Sequence, residues 1–328
     1  MTLPYLPRLL CISLATFFLI HLALALGVCT VARTAARFGE RARPHIAARW
    51  LFVLRLLPSL GAASIVLFVC LPSYLWFEPD APGERVSIAC ISTAVLGIAI
   101  CGASLARGLR AVAVSRRLLS QCRIAGSPGH LAAGSESMDA WIFDGAAPLV
   151  ALAGILRPRL IVSGRVLDAL MPDQLAAALG HERAHWASRD NFKRLCILLA
   201  PDLLLFPASS RTLEHAWAKF AEWAADDRAV AGSPRRSLAL AEALVRIARM
   251  AANEPASPLA CPLLGDTHHL PARVDRLLRS APPGPAPDRR PPIINVGAVL
   301  LLAALLMIVM LQPAALESVH QALEHLVG

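Results

Sequence analysis

The sequence predicts a mainly α-helical membrane protein, with four transmembrane helices and a cytoplasmic α+β domain that carries a small β-sheet. Three observations lead there. The mean hydropathy is +0.55 and 56% of the 328 residues are hydrophobic, too apolar for an ordinary soluble domain. Four apolar runs, 9–31, 56–77, 86–106 and 293–311, reach the roughly 20 residues that a helix needs to cross about 30 Å of hydrocarbon. Between the third and fourth runs lies a long stretch of mixed polarity, with turns, short strand-like segments and amphipathic helices.

The first run, "LLCISLATFFLIHLALALGVCTV", contains His21 as its one strongly polar residue. It is longer than a signal-peptide core, and no A-x-A site follows before further apolar segments, so it reads as a retained span. Core helices buried in a soluble protein rarely run this long without a charge. The net charge of +9 is almost entirely arginine, since Lys193 and Lys219 are the only lysines. Its distribution follows the membrane and argues against a nucleic-acid partner. The segment 32–50 holds Arg33, Arg37, Arg41, Arg43 and Arg49 against Glu40 alone, whereas the short loop "EPDAPGER" leans acidic. By the positive-inside rule, 32–50 is a basic cytoplasmic loop and the N-terminus is outside. Residues 109–280 then form a cytoplasmic domain, and the tail 312–328 lies outside. The expected site is the inner (plasma) membrane, crossed several times. Of eight cysteines, Cys11, Cys29, Cys70, Cys90 and Cys101 lie in apolar runs, and the C-x-x-C spacing is absent. Neither a disulfide framework nor a cysteine metal site is implied.

Within the domain, "WIFDGAAPLVALAGILRPRLIVS" reads as two strands, near 147–153 and 158–163, joined at "RPR". Residues 171–188 read as a helix, with Pro172 in its first turn and Asp173 at its positive end. The segment 195–208 is apolar but too short to span, and Pro201-Asp202 interrupts it, which suggests a hydrophobic hairpin against the membrane or the bundle. Helices follow at 213–231 and 235–252. The proline-rich segment 281–292 is a stiff linker to the fourth span. His130, in "GSPGH", reads as a loop residue.

The chemistry concentrates in "AAALGHERAHWASRDN", residues 177–192. His181 and His185 are four apart and share a helix face, so both imidazoles can grip one ion. Glu182 stands beside them, placed to accept a proton from an attacking water. A catalytic metal needs a third protein ligand. "EWAADD" offers it on the next helix: Glu222 can ligate, while Asp226, four residues on, can orient a ligating histidine. Asp227 points elsewhere and is expected in solvent. Asp190 and Asn191 are expected to cap or stabilise the end of the motif helix, the alternative being that they support a metal ligand from behind, and Trp186 and Trp223 to pack.

The stretch "GILRPRLIVSGRVLDALMPDQLAAALGHERAHWASRDN" resembles the core of the membrane zinc metallopeptidases of the M48 and M56 groups. The resemblance implies a gluzincin-type domain with one Zn2+ per chain on His181, His185 and Glu222, and with Glu182 as general base. "DTHHLPARVDRLL", 266–278, is similar to a late family segment, which implies an oxyanion role for His268 and a grip by Arg273 on the site's carboxylates; His269 stands where proline is usual. Pro148 stands in the edge-strand segment, where some M48 members carry asparagine, and the order of three spans, peptidase and one span is closer to M56. The resemblance implies an endopeptidase acting on a protein substrate at the cytoplasmic face, either a transcriptional repressor cut in signalling or a damaged membrane protein. The rival reading is a non-catalytic receptor or scaffold that keeps the fold; the intact His181, Glu182, His185 and Glu222 argue against it. A transporter has only His21, Arg55 and Asn295 for a pathway.

Overall fold

The computed structural model describes residues 4–77, 86–134, 136–145, 148–202, 207–252, 270–279 and positions 317, 318 and 321. The expected fourth span (293–311) and the linker 281–292 lie outside these residues, as does nearly all of the tail.

Three helices are long and apolar enough to cross a membrane, which suggests a membrane protein. They are α1 (Tyr5–Gly39), the helix formed by α2 (Pro44–Ile65), a π turn (Val66–Cys70) and α3 (Leu71–Phe77), and α4 (Ile88–Ala125). Each outruns the apolar stretch that predicts it. At 1.5 Å per residue, the 38 residues of α4 extend about 57 Å, nearly twice a bilayer core. Residues 32–50, expected as a loop, are helical except for 40–43. Alanine and arginine are both strong helix formers, so the basic segment continues α1 and opens α2.

α1 packs against both α2 and α4. Its contact with α4 is close at Gly97, where an added Cβ would stand 2.8 Å from the Leu14 carbonyl oxygen. At one end of the bundle, Arg8 Nε donates to the Tyr74 hydroxyl at 2.7 Å.

The sheet has four strands in the order β1-β2-β4-β3: β1 (Gly126–Ala133), β2 (Glu136–Phe143), β3 (Val150–Ala153) and β4 (Arg159–Ser163). β3 and β4 fall where the sequence places two strands, and they pair antiparallel. The β1–β2 hairpin is new, and His130 belongs to β1, with Nδ1 2.9 Å from Asp139 on the facing strand. β1 carries two glycines, a proline and a single buried side chain, so it has neither strand propensity nor an apolar stripe to reveal it. β2 runs parallel to β4.

Helices α5 (Gly164–Ala169), α6 (Pro172–Ser188), α7 (Asp190–Leu199), α8 (Pro207–Val230), α9 (Pro234–Ala252) and α10 (Leu270–Arg279) complete the described chain. The stretch read as a hairpin from 195 begins instead as the second half of α7, because Arg189 in a left-handed conformation (φ 54°) ends α6 and Asp190 restarts the helix at once.

The apolar helices and the domain share their cores. Leu213, Trp217 and Phe220 of α8 pack with Val28 and Ala32 of α1 and with Ala47 and Leu51 of α2. Ala111, Leu118 and Cys122, in the far half of α4, pack with Phe143, Ala153 and Ile161 of the sheet. The position expected to separate spans from domain, 108/109, falls inside α4, which serves both.

Valine at Gly97 is expected to push α1 from α4 and cost about 1–3 kcal/mol, seen as a lower Tm in detergent. An unchanged Tm would contradict the close contact.

Candidate metal centre

α6 and α8 approach closely where small residues meet: an added Cβ on Gly180 of α6 would stand 3.6 Å from the Ala229 Cα of α8, and Ala177 shares a core with Ala229. Their meeting sets Glu222 and Asp226 against the histidines one helix away. His181, His185 and Glu222 each offer a donor atom, all within 4.8 Å of one another, a group that could hold a metal ion.

The distances test whether an ion fits. His181 Nε2 and His185 Nε2 are 3.1 Å apart. Glu222 Oε2 is 3.4 Å from the first and Oε1 is 3.6 Å from the second. A tetrahedral site with bonds of about 2.0–2.1 Å has edges of about 3.4 Å, so one ion fits this triangle. The other ring nitrogens are committed to carboxylates. His181 Nδ1 is 2.9 Å from Asp226 Oδ1, and His185 Nδ1 is 2.8 Å from Asp190 Oδ2. An Nδ1–H donated to a carboxylate leaves the Nε2 lone pair facing inward. Two such lone pairs at 3.1 Å repel unless a cation lies between them.

Arg273 of α10 reaches in from the far side. Its Nη1 is 2.8 Å from Glu222 Oε2, and its Nε and Nη2 bond the Asp226 carboxylate at 2.9 and 2.6 Å. α10 is held there by Ser237 of α9, whose hydroxyl donates to the Leu277 carbonyl at 2.7 Å. Asp227, expected in solvent, pairs with Arg276 of the same α10 at 2.6 Å. Trp223, expected to pack, lies under the Arg276 guanidinium, 5.2 Å from the ring centre. His268 and His269 lie outside the described residues.

Charge at the site is unbalanced toward a divalent cation. Glu182, Asp190, Glu222 and Asp226 bring four carboxylates, against Arg273 and against Lys193, which is 3.0 Å from Asp190. Burial would raise Glu222, but His185, His181 and Arg273 outweigh it and hold it well below the usual carboxylate range. Burial likewise opposes Asp226, which Arg273 and His181 bring down. Burial lowers the His185 imidazole, and the Glu222 and Asp190 carboxylates more than reverse this, taking it to about 10. Glu182 goes the other way, because burial dominates and raises it.

Two contacts give Asp190 and Asn191 definite partners. Asp190 bonds His185, the alternative to a plain helix end, because the left-handed Arg189 folds the chain back on the last turn of α6. Asn191 Nδ2 donates to the Leu152 and Gly154 carbonyls, both at 2.9 Å, and so fastens the edge strand β3 to α7. An acidic residue five positions after the second histidine was the available signal for the first. The second depends on where β3 lies.

Asp190→Asn and Asp226→Asn are each expected to weaken metal binding about 10–100-fold, measured by competition with a chelator. Equal affinity in both variants would contradict the orienting contacts. The Glu222 and Asp190 carboxylates favour a proton on His185 in the metal-free site, and a metal must displace it. Affinity should therefore rise with pH between 6 and 8, by about tenfold per unit for each proton released. A flat profile would contradict the protonated cluster.

Residues 111–253 match the family model described as Peptidase family M48. The matched stretch runs from the far half of α4 through the sheet to α9 and takes in His181, Glu182, His185, Glu222 and Asp226; Arg273 lies beyond it. No curated protein and no solved structure matches the chain. The family match and the His/His/Glu cluster together support a metal-dependent peptidase of the M48 type.

Proposed function

We propose that the protein is a membrane-embedded zinc endopeptidase that cuts protein substrates at the cytoplasmic face. The observation that carries this reading is the triangle of His181 Nε2, His185 Nε2 and Glu222, with edges of 3.1–3.6 Å, and Glu182 next to His181 on the same helix. In this reading His181, His185 and Glu222 hold one zinc ion. Asp226 and Asp190 fix the two rings in the ligating tautomer, and Arg273 holds Glu222 and Asp226 in place.

Zinc held there would act as a Lewis acid, lowering the pKa of water toward neutrality and polarising a carbonyl. Glu182 takes the proton of the attacking water and passes it to the leaving amine. Its burial raises the carboxyl toward the working pH, which suits both transfers. β3 is an outer strand of the described sheet, so an extended peptide can add to it by backbone pairing. His268 is the oxyanion donor in this scheme.

The arginine-rich segment 32–50 supports a cytoplasmic site in the inner membrane, with the N-terminus outside. The apolar order of three spans, domain and fourth run supports an M56-like arrangement within the wider group. The roles that fit are cleavage of a cytoplasmic repressor in signalling and quality control of membrane proteins.

Glu182→Gln is expected to keep about one zinc per chain and to lose proteolysis, while Glu222→Gln loses zinc as well. The paired measurements are metal content and cleavage of an unfolded reporter protein. Full cleavage by Glu182→Gln would overturn the mechanism. Reporter fusions after residues 42, 80 and 200 should read inside, outside, inside; an outside signal at 200 would overturn the orientation.

A further inference from the structure

Away from the metal centre, a second, partly buried polar cluster sits where α7 ends. Asp202 is held by two arginines from two of the apolar helices. Arg55 of α2, 5% exposed, bonds Asp202 Oδ1 and donates to the Ala200 carbonyl at 3.2 Å. Arg107 of α4 bonds Asp202 Oδ2 and donates to the same carbonyl at 3.1 Å. The last carbonyls of a helix lack intrahelical donors and carry its negative end, so the two guanidiniums act as a cap supplied by other helices. A cation buried in an apolar helix is costly unless paired, so the clamp has a strong reason to stay closed.

The other end of the same ten-residue helix meets the metal centre. Asp190 bonds His185, and Asn191 bonds the carbonyls of Leu152 on β3 and of Gly154 just after it. A helix of this length spans about 15 Å. α4 supports it along its side, with Leu195 and Leu199 packed over Gly108 so closely that a Cβ there would collide with Leu199. α4 also reaches the end of β3, because Ser115 Oγ accepts from the backbone N–H of Gly154, the residue after the strand, at 3.2 Å. Gly154 has φ +101°, a conformation that L side chains rarely adopt, so few other residues could sit at this junction.

We infer that Asp202 is a positioning residue for the metal centre. The Arg55–Asp202–Arg107 clamp fixes α7, and α7 in turn fixes His185 through Asp190 and the substrate edge through Asn191. Separation of α2 from α4 opens the clamp and slackens ligand and edge strand together. This inference rests on the metallopeptidase reading of the site.

The test uses the full chain in detergent, with Co2+ as the probe. Asp202→Asn is expected to keep its helical circular dichroism, to bind Co2+ about tenfold more weakly, and to shift the visible d–d bands. Hydrogen exchange over 150–154 should rise, and kcat should fall. Asp202→Glu, which keeps the charge, should recover part of the loss. Arg107→Gln, at a side chain 38% exposed, should shift affinity and spectrum in the same direction by less, and it decides the matter if Asp202→Asn does not fold. Unchanged Co2+ affinity and spectrum in a folded variant would overturn the inference while leaving the peptidase reading intact. Loss of fold in both variants would assign the clamp to stability alone and overturn it too. A wild-type chain that takes up no Co2+ would overturn both readings.

Discussion

Two imidazole nitrogens facing each other at 3.1 Å are the constraint on which the rest of the site depends. Each ring is held by a carboxylate on its other nitrogen, so neither can turn its lone pair away without losing a buried hydrogen bond. The pair needs positive charge nearby: a proton or a metal between the rings supplies it, and Arg273 Nη2, 3.3 Å from His181 Nε2, adds to it. Glu222 closes the triangle, and Arg273 keeps Glu222 and Asp226 from repelling each other. The close contact of Gly180 and Ala177 of α6 with Ala229 of α8 serves this constraint, because larger side chains there would hold Glu222 away from the rings.

The second theme is continuity between apolar helices and site. α8, which carries Glu222, is packed by Trp217 and Phe220 against α1 and α2. α4 leaves its apolar run and becomes a wall of the sheet. A chain of this kind cannot treat its membrane helices as a passive tether, since displacing them would disturb the packing that brings the ligands together. Arg55, Arg107 and Asp202 make this dependence polar as well as apolar.

Much of this was legible in the sequence for definite reasons. The i, i+4 histidines follow from helical periodicity, and α6 begins at Pro172 as its sequence indicates. Glu222 and Asp226 share a face for the same reason. The three long helices follow from hydropathy, although their ends do not, because alanine and arginine extend a helix beyond its apolar part. The β1–β2 hairpin was not legible. Its first strand is built of glycine, proline and other small or polar residues with one buried side chain, so the strand is set by backbone pairing to β2, whose Ala140 and Phe143 are the buried ones. The partners of Asp190, Asn191 and Asp202 were hidden for another reason. Each depends on a left-handed residue or on a partner far away in the chain, which local periodicity cannot encode.

The central claim is that one zinc ion is bound by His181, His185 and Glu222. X-ray absorption at the zinc edge of the purified chain tests it most directly. The account predicts nitrogen and oxygen neighbours only, at about 2.0–2.2 Å, with outer-shell scattering from two imidazoles. A sulfur neighbour at about 2.3 Å, or a shell without imidazole scattering, would contradict it.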